Sequence, residues 1–162
     1  MGSINRQVKK LPNICQWAYY NIVPFENRYG DEYKKTLAFL MKSSKWSEVS
    51  RKDYQLTEMK HLLSHCYWNV PYYRKIFIDN RWTVEDFQTV EDIKNFPVLT
   101  KKIIMDNQKD LIAQNFKHQR PYPITTSGSS GDKLQIFVND DVFKREAAFN
   151  MRAYIEQGAK MY

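Results

Sequence analysis

A short segment rich in glycine and hydroxyl side chains lies between two stretches that are typical of β-strands. Residues 125–133 read Thr-Thr-Ser-Gly-Ser-Ser-Gly-Asp-Lys. Tyr122–Thr126 leads into this segment, and the apolar, β-branched run Leu134–Val138 follows it. Two strands separated by so few residues pair most simply as an antiparallel hairpin, so the chain has to turn within the segment. The sequence therefore predicts a β-hairpin with a glycine- and serine-rich loop.

The composition of this loop suits an anionic ligand. Glycine lets the backbone turn its N–H groups inward, hydroxyls add further donors, and a lysine adds positive charge, which together suit a polyphosphate. An idle flexible linker has a similar composition, but a linker joins finished domains, and both flanks here are strand-like. Two enzyme motifs fit less well. The common nucleotide-binding P-loop has glycines five apart at a helix start, and the Ser130–Lys133 pair lacks the helix start of a serine–lysine nucleophile.

Most of the remaining chain has the pattern of helices and helix breaks. We expect residues 1–118 to be mainly helical, residues 119–139 to form strand, phosphate loop and strand, and residues 140–158 to form a helix. Prolines and capping residues set the breaks. The expected helices and turns are 4–22, Asp31–Ser43, Asp53–Trp68, Pro71–Asp79, Thr83–Phe87, Val90–Asn95, Lys101–Asn107 and Asp140–Gln157. The fold class expected is α/β, with helices predominating.

Two of these helices carry an apolar face at helical spacing, and we expect both faces to be buried. In the helix over 53–68 the face consists of Leu56, Met59, Leu62, Leu63 and Cys66. In the last helix it consists of Phe143, Ala147, Met151, Tyr154 and Ile155. Gly158 follows the last helix and suits its C-terminal cap.

Composition narrows the class of protein. A chain of 162 residues with 43% hydrophobic residues is long and apolar enough to fold around a core. Its net charge is +7, but the basic residues form scattered doublets such as Lys9-Lys10 and Lys144-Arg145. Nucleic-acid binders concentrate their charge on one face or helix, so solvated helix faces or an anionic nucleotide explain this charge better.

Other residues give weaker indications. Cys15 and Cys66 do not form a metal or redox motif, so we expect two free, buried thiols in a reducing cytoplasm. No stretch is long and apolar enough for a membrane span. The aromatic residues near the start could touch a membrane surface, although such residues more often pack in a core: Trp17, Tyr19, Tyr20 and Phe25.

One pair of histidines invites a metal interpretation. His61 and His65 lie four residues apart on a helix and share a face with Glu58. No set of Cys or Asp ligands accompanies the two histidines, so we expect a surface or interdomain pair and predict no metal site.

Three motifs in order resemble the N-terminal part of adenylate-forming enzymes. The Thr126–Gly131 sequence is similar to the Thr-Ser-Gly-Ser/Thr-Thr-Gly-x-Pro phosphate-binding signature of that superfamily, with Ser130 for the usual threonine and Lys133 for the usual proline. The runs Asn69-Val-Pro-Tyr-Tyr-Arg74 and Pro97-Val-Leu-Thr-Lys-Lys-Ile103 resemble two earlier signatures of the phenylacetate–CoA ligase-like branch. That branch includes proteins of capsular polysaccharide biosynthesis, and the likeness covers about residues 25–160.

The resemblance implies a carboxylate-activating ligase that uses ATP with Mg²⁺ and, as co-substrate, coenzyme A. It implies that the adenine-binding and catalytic motifs of the parent enzyme follow residue 162, and that this piece alone is inactive. The lack of an export signal and of a membrane span leads us to expect a cytoplasmic protein. The ATP phosphates would be bound by Thr126, Ser127, Gly128, Ser129, Ser130, Gly131 and Lys133. Two alternatives remain: a non-catalytic phosphate-ligand or protein-interaction module, and a basic nucleic-acid-binding domain.

Overall fold

The computed structural model describes residues 7–115, 121–126 and 134–158, and this part of the chain is mostly helical with a small antiparallel sheet. In chain order its elements are α1 Asn13–Ile22, α2 Phe25–Ser43, α3 Glu48–Asn69, α4 Pro71–Asn80, 3₁₀ turns Val84–Asp86 and Val90–Asn95, α5 Lys101–Asp106, β1 Tyr122–Thr125, β2 Gln135–Val138 and α6 Asp140–Glu156. A mixed, helix-dominated fold was predicted from the sequence and is confirmed at this level.

The chain divides into two compact units. The first contains Met1–Trp46 together with Asn139–Tyr162, and the second contains Ser47–Val138. Each unit buries a small cluster of apolar residues, and the candidate phosphate-binding hairpin belongs to the second.

The core of the first unit lies where α2 packs against α6. Tyr33, Leu37 and Leu40 of α2 are buried together with Ala148 of α6. The small side chain of Ala148 lets the two helices approach closely at this point. At the edge of the contact, Arg145 donates from Nε to Oε1 of Glu32 over 2.7 Å.

A glycine interrupts α2 near its beginning. Gly30 has φ 75° and ψ −166°, a backbone conformation that side chains with a Cβ rarely adopt. The regular helical geometry therefore resumes at Asp31, where the sequence placed the helix start, and the preceding turn from Phe25 was not predicted.

The core of the second unit is largely aromatic. Leu63 of α3, Phe77 of α4 and Phe87 form its buried centre. Trp82 and Phe96 pack around them, with the ring centroid of Phe96 5.4 Å from those of Phe77 and Phe87. Edge-to-face and tilted ring pairs of this kind fill the space between short helical segments that bury little apolar surface individually.

Local capping signals account for most helix starts. The side-chain oxygens of Ser47, Thr100 and Asn139 each accept a hydrogen bond from the backbone N–H three residues later. Thr83 and Thr89 form capping boxes with Asp86 and Asp92. The predicted starts at Pro71 and Thr100 and the two short turns are confirmed, as is Gly158 with a positive φ after α6. The expected start of α3 at Asp53 was wrong, because Ser47 caps the helix and it begins at Glu48.

Three burial predictions were wrong. Leu62, placed on the buried face of α3, is 60% exposed, whereas its neighbour Leu63 is 4% exposed. Tyr154 of α6 and the thiol-bearing Cys15 are also exposed, while Cys66 is half-buried. Each of these residues lies either on the flank of an apolar stripe or on a helix with no buried residue. At such positions the helical spacing of apolar residues does not decide which side chains are buried.

The expected helix over residues 4–22 is also corrected. Residues 7 and 8 are helical, the chain then leaves the helical conformation, and α1 begins at Asn13 with Pro12 as its N-terminal cap. Pro12 has no N–H to continue an earlier helix but is tolerated at a helix start. Residues 4–6 lie outside the described part of the chain. Among the described helices, none has the length and apolar character required to span a membrane.

Candidate functional site

The candidate site begins at the stem of the hairpin. β1 and β2 pair antiparallel, with Tyr122 opposite Val138, Ile124 opposite Ile136 and Thr125 opposite Gln135. Beyond the last of these pairs the backbone N–H of Thr126 donates to the carbonyl of Leu134 over 2.9 Å. The two ends of the glycine- and serine-rich segment are therefore held side by side.

Thr126 is the one predicted phosphate-binding residue that lies in the described part of the chain. Its side chain is exposed, and its Oγ1 accepts a hydrogen bond from the backbone N–H of Leu134 at 3.3 Å. Because a hydroxyl can accept and donate at once, this contact leaves its hydrogen available for a ligand. The other six predicted residues lie outside the described residues: Ser127, Gly128, Ser129, Ser130, Gly131 and Lys133.

The stem is tied to the helices of the second unit through the segment that follows α5. The side-chain amide of Gln108 donates to the carbonyl of Gln135 at 3.3 Å. The backbone N–H of Tyr72 donates to the carbonyl of Asp110 at 3.0 Å, and that of Gln114 donates to the carbonyl of Asn69 at 2.7 Å. These bonds connect the start of β2 to the junction of α3 and α4, so the hairpin has a defined position within its unit.

A groove of about 370 Å³ lies beside β2. Its walls come from α3, α5, the segment after α5 and β2, and they are mainly apolar. The lining residues are Leu62, His65, Cys66, Val70, Ile104, Gln108, Leu111, Ile112, Ala113, Gln135, Ile136 and Phe137. This groove was not predicted. The apolar stripe of α3 was the available signal, but it was assigned to the core, and the exposed Leu62 shows that part of it faces the groove instead.

A second groove of about 330 Å³ shares Leu62 and Cys66 with the first and extends to Tyr73 and the segment Phe96–Leu99. Burial raises the pKa of the Cys66 thiol. Burial, with smaller contributions from Cys66 and Tyr72, also raises the pKa of the Tyr73 hydroxyl. Both groups therefore stay protonated at neutral pH, and neither is an activated nucleophile.

The histidine pair of α3 makes local contacts. Nδ1 of His61 lies 3.6 Å from Oε1 of Glu58, and both side chains are mostly exposed. Nδ1 of His65 lies 3.3 Å from the amide nitrogen of Asn69. Across the ranges that the structure describes, no three His, Cys, Asp or Glu side chains come together as a group that could hold a metal ion.

Several basic residues form local ion pairs. Lys52 pairs with Glu48 at 3.0 Å and Lys102 with Asp106 at 2.7 Å, both one helical turn apart. Exposed pairs of this kind contribute little to stability, but they place negative charge beside positive charge. The doublets they belong to, Arg51-Lys52 and Lys101-Lys102, are thus partly neutralised, which weakens the case for a continuous nucleic-acid surface.

Comparison of the chain with models of protein families and with curated proteins finds no match.

Proposed function

We propose that this chain forms the N-terminal part of an ATP-dependent, carboxylate-activating ligase, and that residues 126–131 and Lys133 bind the phosphates of ATP. The motifs around residues 69–74, 97–103 and 126–131 support this proposal by their resemblance to the phenylacetate–CoA ligase-like branch of adenylate-forming enzymes. Cell-surface polysaccharide biosynthesis is the setting that the same resemblance favours.

The observation that carries the proposal is the stem of the hairpin. The hydrogen bond from Thr126 to Leu134 closes the base of the Ser127–Lys133 segment. A short segment whose two ends are paired can gather its backbone N–H groups and hydroxyls around one ligand, and a phosphate requires such a concentration of donors. An idle linker needs no paired strands on both sides.

The reaction has two steps. A carboxylate oxygen of the substrate attacks the α-phosphorus of ATP, the bond from that phosphorus to the bridging oxygen breaks, and pyrophosphate leaves with the electron pair. A thiol, usually that of coenzyme A, then attacks the acyl carbonyl, loses its proton and displaces AMP. The nucleophile in each step belongs to a substrate, so the protein need not supply one.

The task of the loop in the first step is electrostatic. Negative charge accumulates on the departing pyrophosphate, and donors that already point toward it lower the barrier. The exposed hydroxyl of Thr126 can donate to a phosphate oxygen while it accepts from Leu134. Lys133 adds positive charge, and Mg²⁺, when bound with ATP, neutralises part of the charge on the phosphates.

The experiment is a calorimetric titration of the purified chain with ATP and Mg²⁺. Three variants are compared with the wild type. Thr126→Val removes the hydroxyl, Thr126→Ser retains it, and Thr125→Val changes an adjacent exposed threonine of β1. A hydrogen bond to a charged group contributes about 1.5–3 kcal/mol, so Thr126→Val should weaken ATP binding about 10- to 100-fold. The Thr126→Ser and Thr125→Val variants should bind within about threefold of the wild type, a difference of less than about 1 kcal/mol.

Two outcomes would reject the proposal. One is the absence of ATP binding by a chain whose circular dichroism shows the expected helix content. The other is equal loss of affinity in the Thr125→Val and Thr126→Val variants, which would indicate a general effect on the hairpin. Binding of inorganic pyrophosphate but not ATP would favour a non-catalytic phosphate-binding module. Oligonucleotide binding with a steep salt dependence would favour the nucleic-acid alternative.

A further inference from the structure

Helix α1 exposes its apolar side. Ile14, Trp17 and Ile22 are 75%, 65% and 74% exposed, and no residue of the helix is buried. At 100° per residue these three side chains fall within less than half of the helix circumference. A surface helix of a globular protein ordinarily turns that side toward the core, so α1 has the reverse orientation.

The polar contacts that Gln16 and Arg28 make lie away from the apolar side of α1. The side-chain amide of Gln16, on the half-buried side of α1, donates to the carbonyl of Leu11 at 2.8 Å. After the helix, Arg28 donates from Nε to the carbonyl of Val23 at 2.8 Å, and its guanidinium lies 5.4 Å from the ring centre of Tyr20. These hydrogen bonds and the cation–π contact lie at the two ends of α1 and leave its apolar side uncovered.

The one polar residue in the middle of the exposed side makes a local hydrogen bond. The amide nitrogen of Asn21 donates to the carbonyl of Trp17 at 2.8 Å. A donor that already has a partner costs less to remove from water. Asn21 therefore does not prevent this side of the helix from entering an apolar environment.

The charged residues in and just before the helix are basic. Residues 7–25 include Lys9 and Lys10 and contain no aspartate or glutamate. The two lysines lie four and three residues before Asn13, where the helix begins, and Leu11 in between is exposed as well. Positive charge beside exposed isoleucine and tryptophan is the combination found in helices that lie in the interface of an anionic membrane.

We propose that α1 is a membrane-surface helix that binds anionic lipid. It lies parallel to the membrane over its length of about 15 Å, with Ile14, Trp17 and Ile22 at the boundary of headgroups and acyl chains. Lys9 and Lys10 contact the lipid phosphates. An anionic lipid surface explains the two lysines as well as the apolar side of α1. An apolar partner protein would contact the apolar side alone.

The test is co-sedimentation of the chain with vesicles of phosphatidylcholine alone and of an equimolar mixture with phosphatidylglycerol. Wild-type chain should bind the anionic vesicles more tightly than the neutral ones. Ile14→Asp should reduce that binding about tenfold or more. The double variant Lys9→Gln with Lys10→Gln should reduce it about thirtyfold on anionic vesicles and have no effect on neutral ones.

The matched control is Val98→Asp, which places the same charge at a largely exposed apolar residue of the second unit. It should bind vesicles as the wild type does. Because Ile14 and Val98 are both exposed, neither change removes core packing, and thermal melting checks that both variants fold. Equal binding by the two variants, or no binding of the wild type to anionic vesicles, would overturn the proposal. So would self-association of the wild type, seen by light scattering and abolished by Ile14→Asp, in a chain that ignores vesicles.

Discussion

Phe77 is the residue whose truncation tests the packing of the second unit most directly. Its side chain is 1% exposed, and its ring lies 5.5 Å from that of Tyr67 and 6.3 Å from that of Phe87, between centroids. Phe77→Ala removes the ring from the centre of this cluster and leaves a cavity bordered by rigid aromatic side chains. Because rigid neighbours move little into the cavity, the loss of stability is larger.

The expected cost follows from these contacts. Truncation of a phenylalanine in a packed core to alanine lowers the free energy of unfolding by about 3–5 kcal/mol. With a urea dependence of about 1–3 kcal/mol per M, the unfolding midpoint should fall by about 1 M or more. A loss of this size is a large part of the free energy of unfolding of a small domain, which is about 5–15 kcal/mol.

The assay is urea unfolding followed by circular dichroism, with Ile78→Ala as the matched control. Ile78 is the next residue of α4 and is 61% exposed, so its truncation should change stability by less than about 1 kcal/mol. Hydrogen exchange of the amides in α4 shows whether the loss is confined to the second unit. If Phe77→Ala and Ile78→Ala shift the midpoint equally, the buried position of Phe77 and the reasoning built on it are refuted.

Two further predictions concern titrating side chains. Iodoacetamide at mildly alkaline pH should modify the exposed Cys15 before the half-buried Cys66, whose pKa is raised by burial; equal rates, read by mass spectrometry, would contradict this. The backbone N–H of Thr89, above all, lowers the pKa of Asp92. The ionised Asp92 should therefore stabilise the fold fully above the unfolded pKa of about 3.9. This stabilisation should be lost as the pH falls through the folded pKa. Asp92→Asn should therefore destabilise the protein at neutral pH and destabilise it less in acid. A difference in urea midpoint between variant and wild type that does not change with pH would contradict this.

The starts and ends of most elements could be predicted because short-range interactions determine them. Thr100 caps α5 through the N–H of Ile103, and Gly158 supplies the left-handed residue after α6. A proline or a capping side chain acts on the residues next to it in sequence, so the information is local. The hairpin was predictable for the same reason, since its strands are separated by few residues.

The strands that flank the candidate site were predicted and are confirmed, and the structure adds their pairing and the contact of Thr126 with Leu134. The phosphate-binding role of Thr126–Gly131 and Lys133 stays a prediction. The groove beside β2 was missed, because its walls come from α3, α5 and residues near 111 that are distant in sequence. Such a surface exists only when these elements come together.

The amino-acid sequence by itself determined most helical segments, several of their caps and the hairpin, because backbone conformation responds to immediate neighbours. Only the tertiary structure decided which apolar side chains are buried. Leu62 and Leu63 are adjacent and chemically identical, yet Leu63 meets Phe77 in the core while Leu62 lines a groove. In α1 the apolar residues Ile14, Trp17 and Ile22 are exposed, although apolar residues at helical spacing ordinarily face a core. Burial depends on partners far along the chain, and no local pattern contains them.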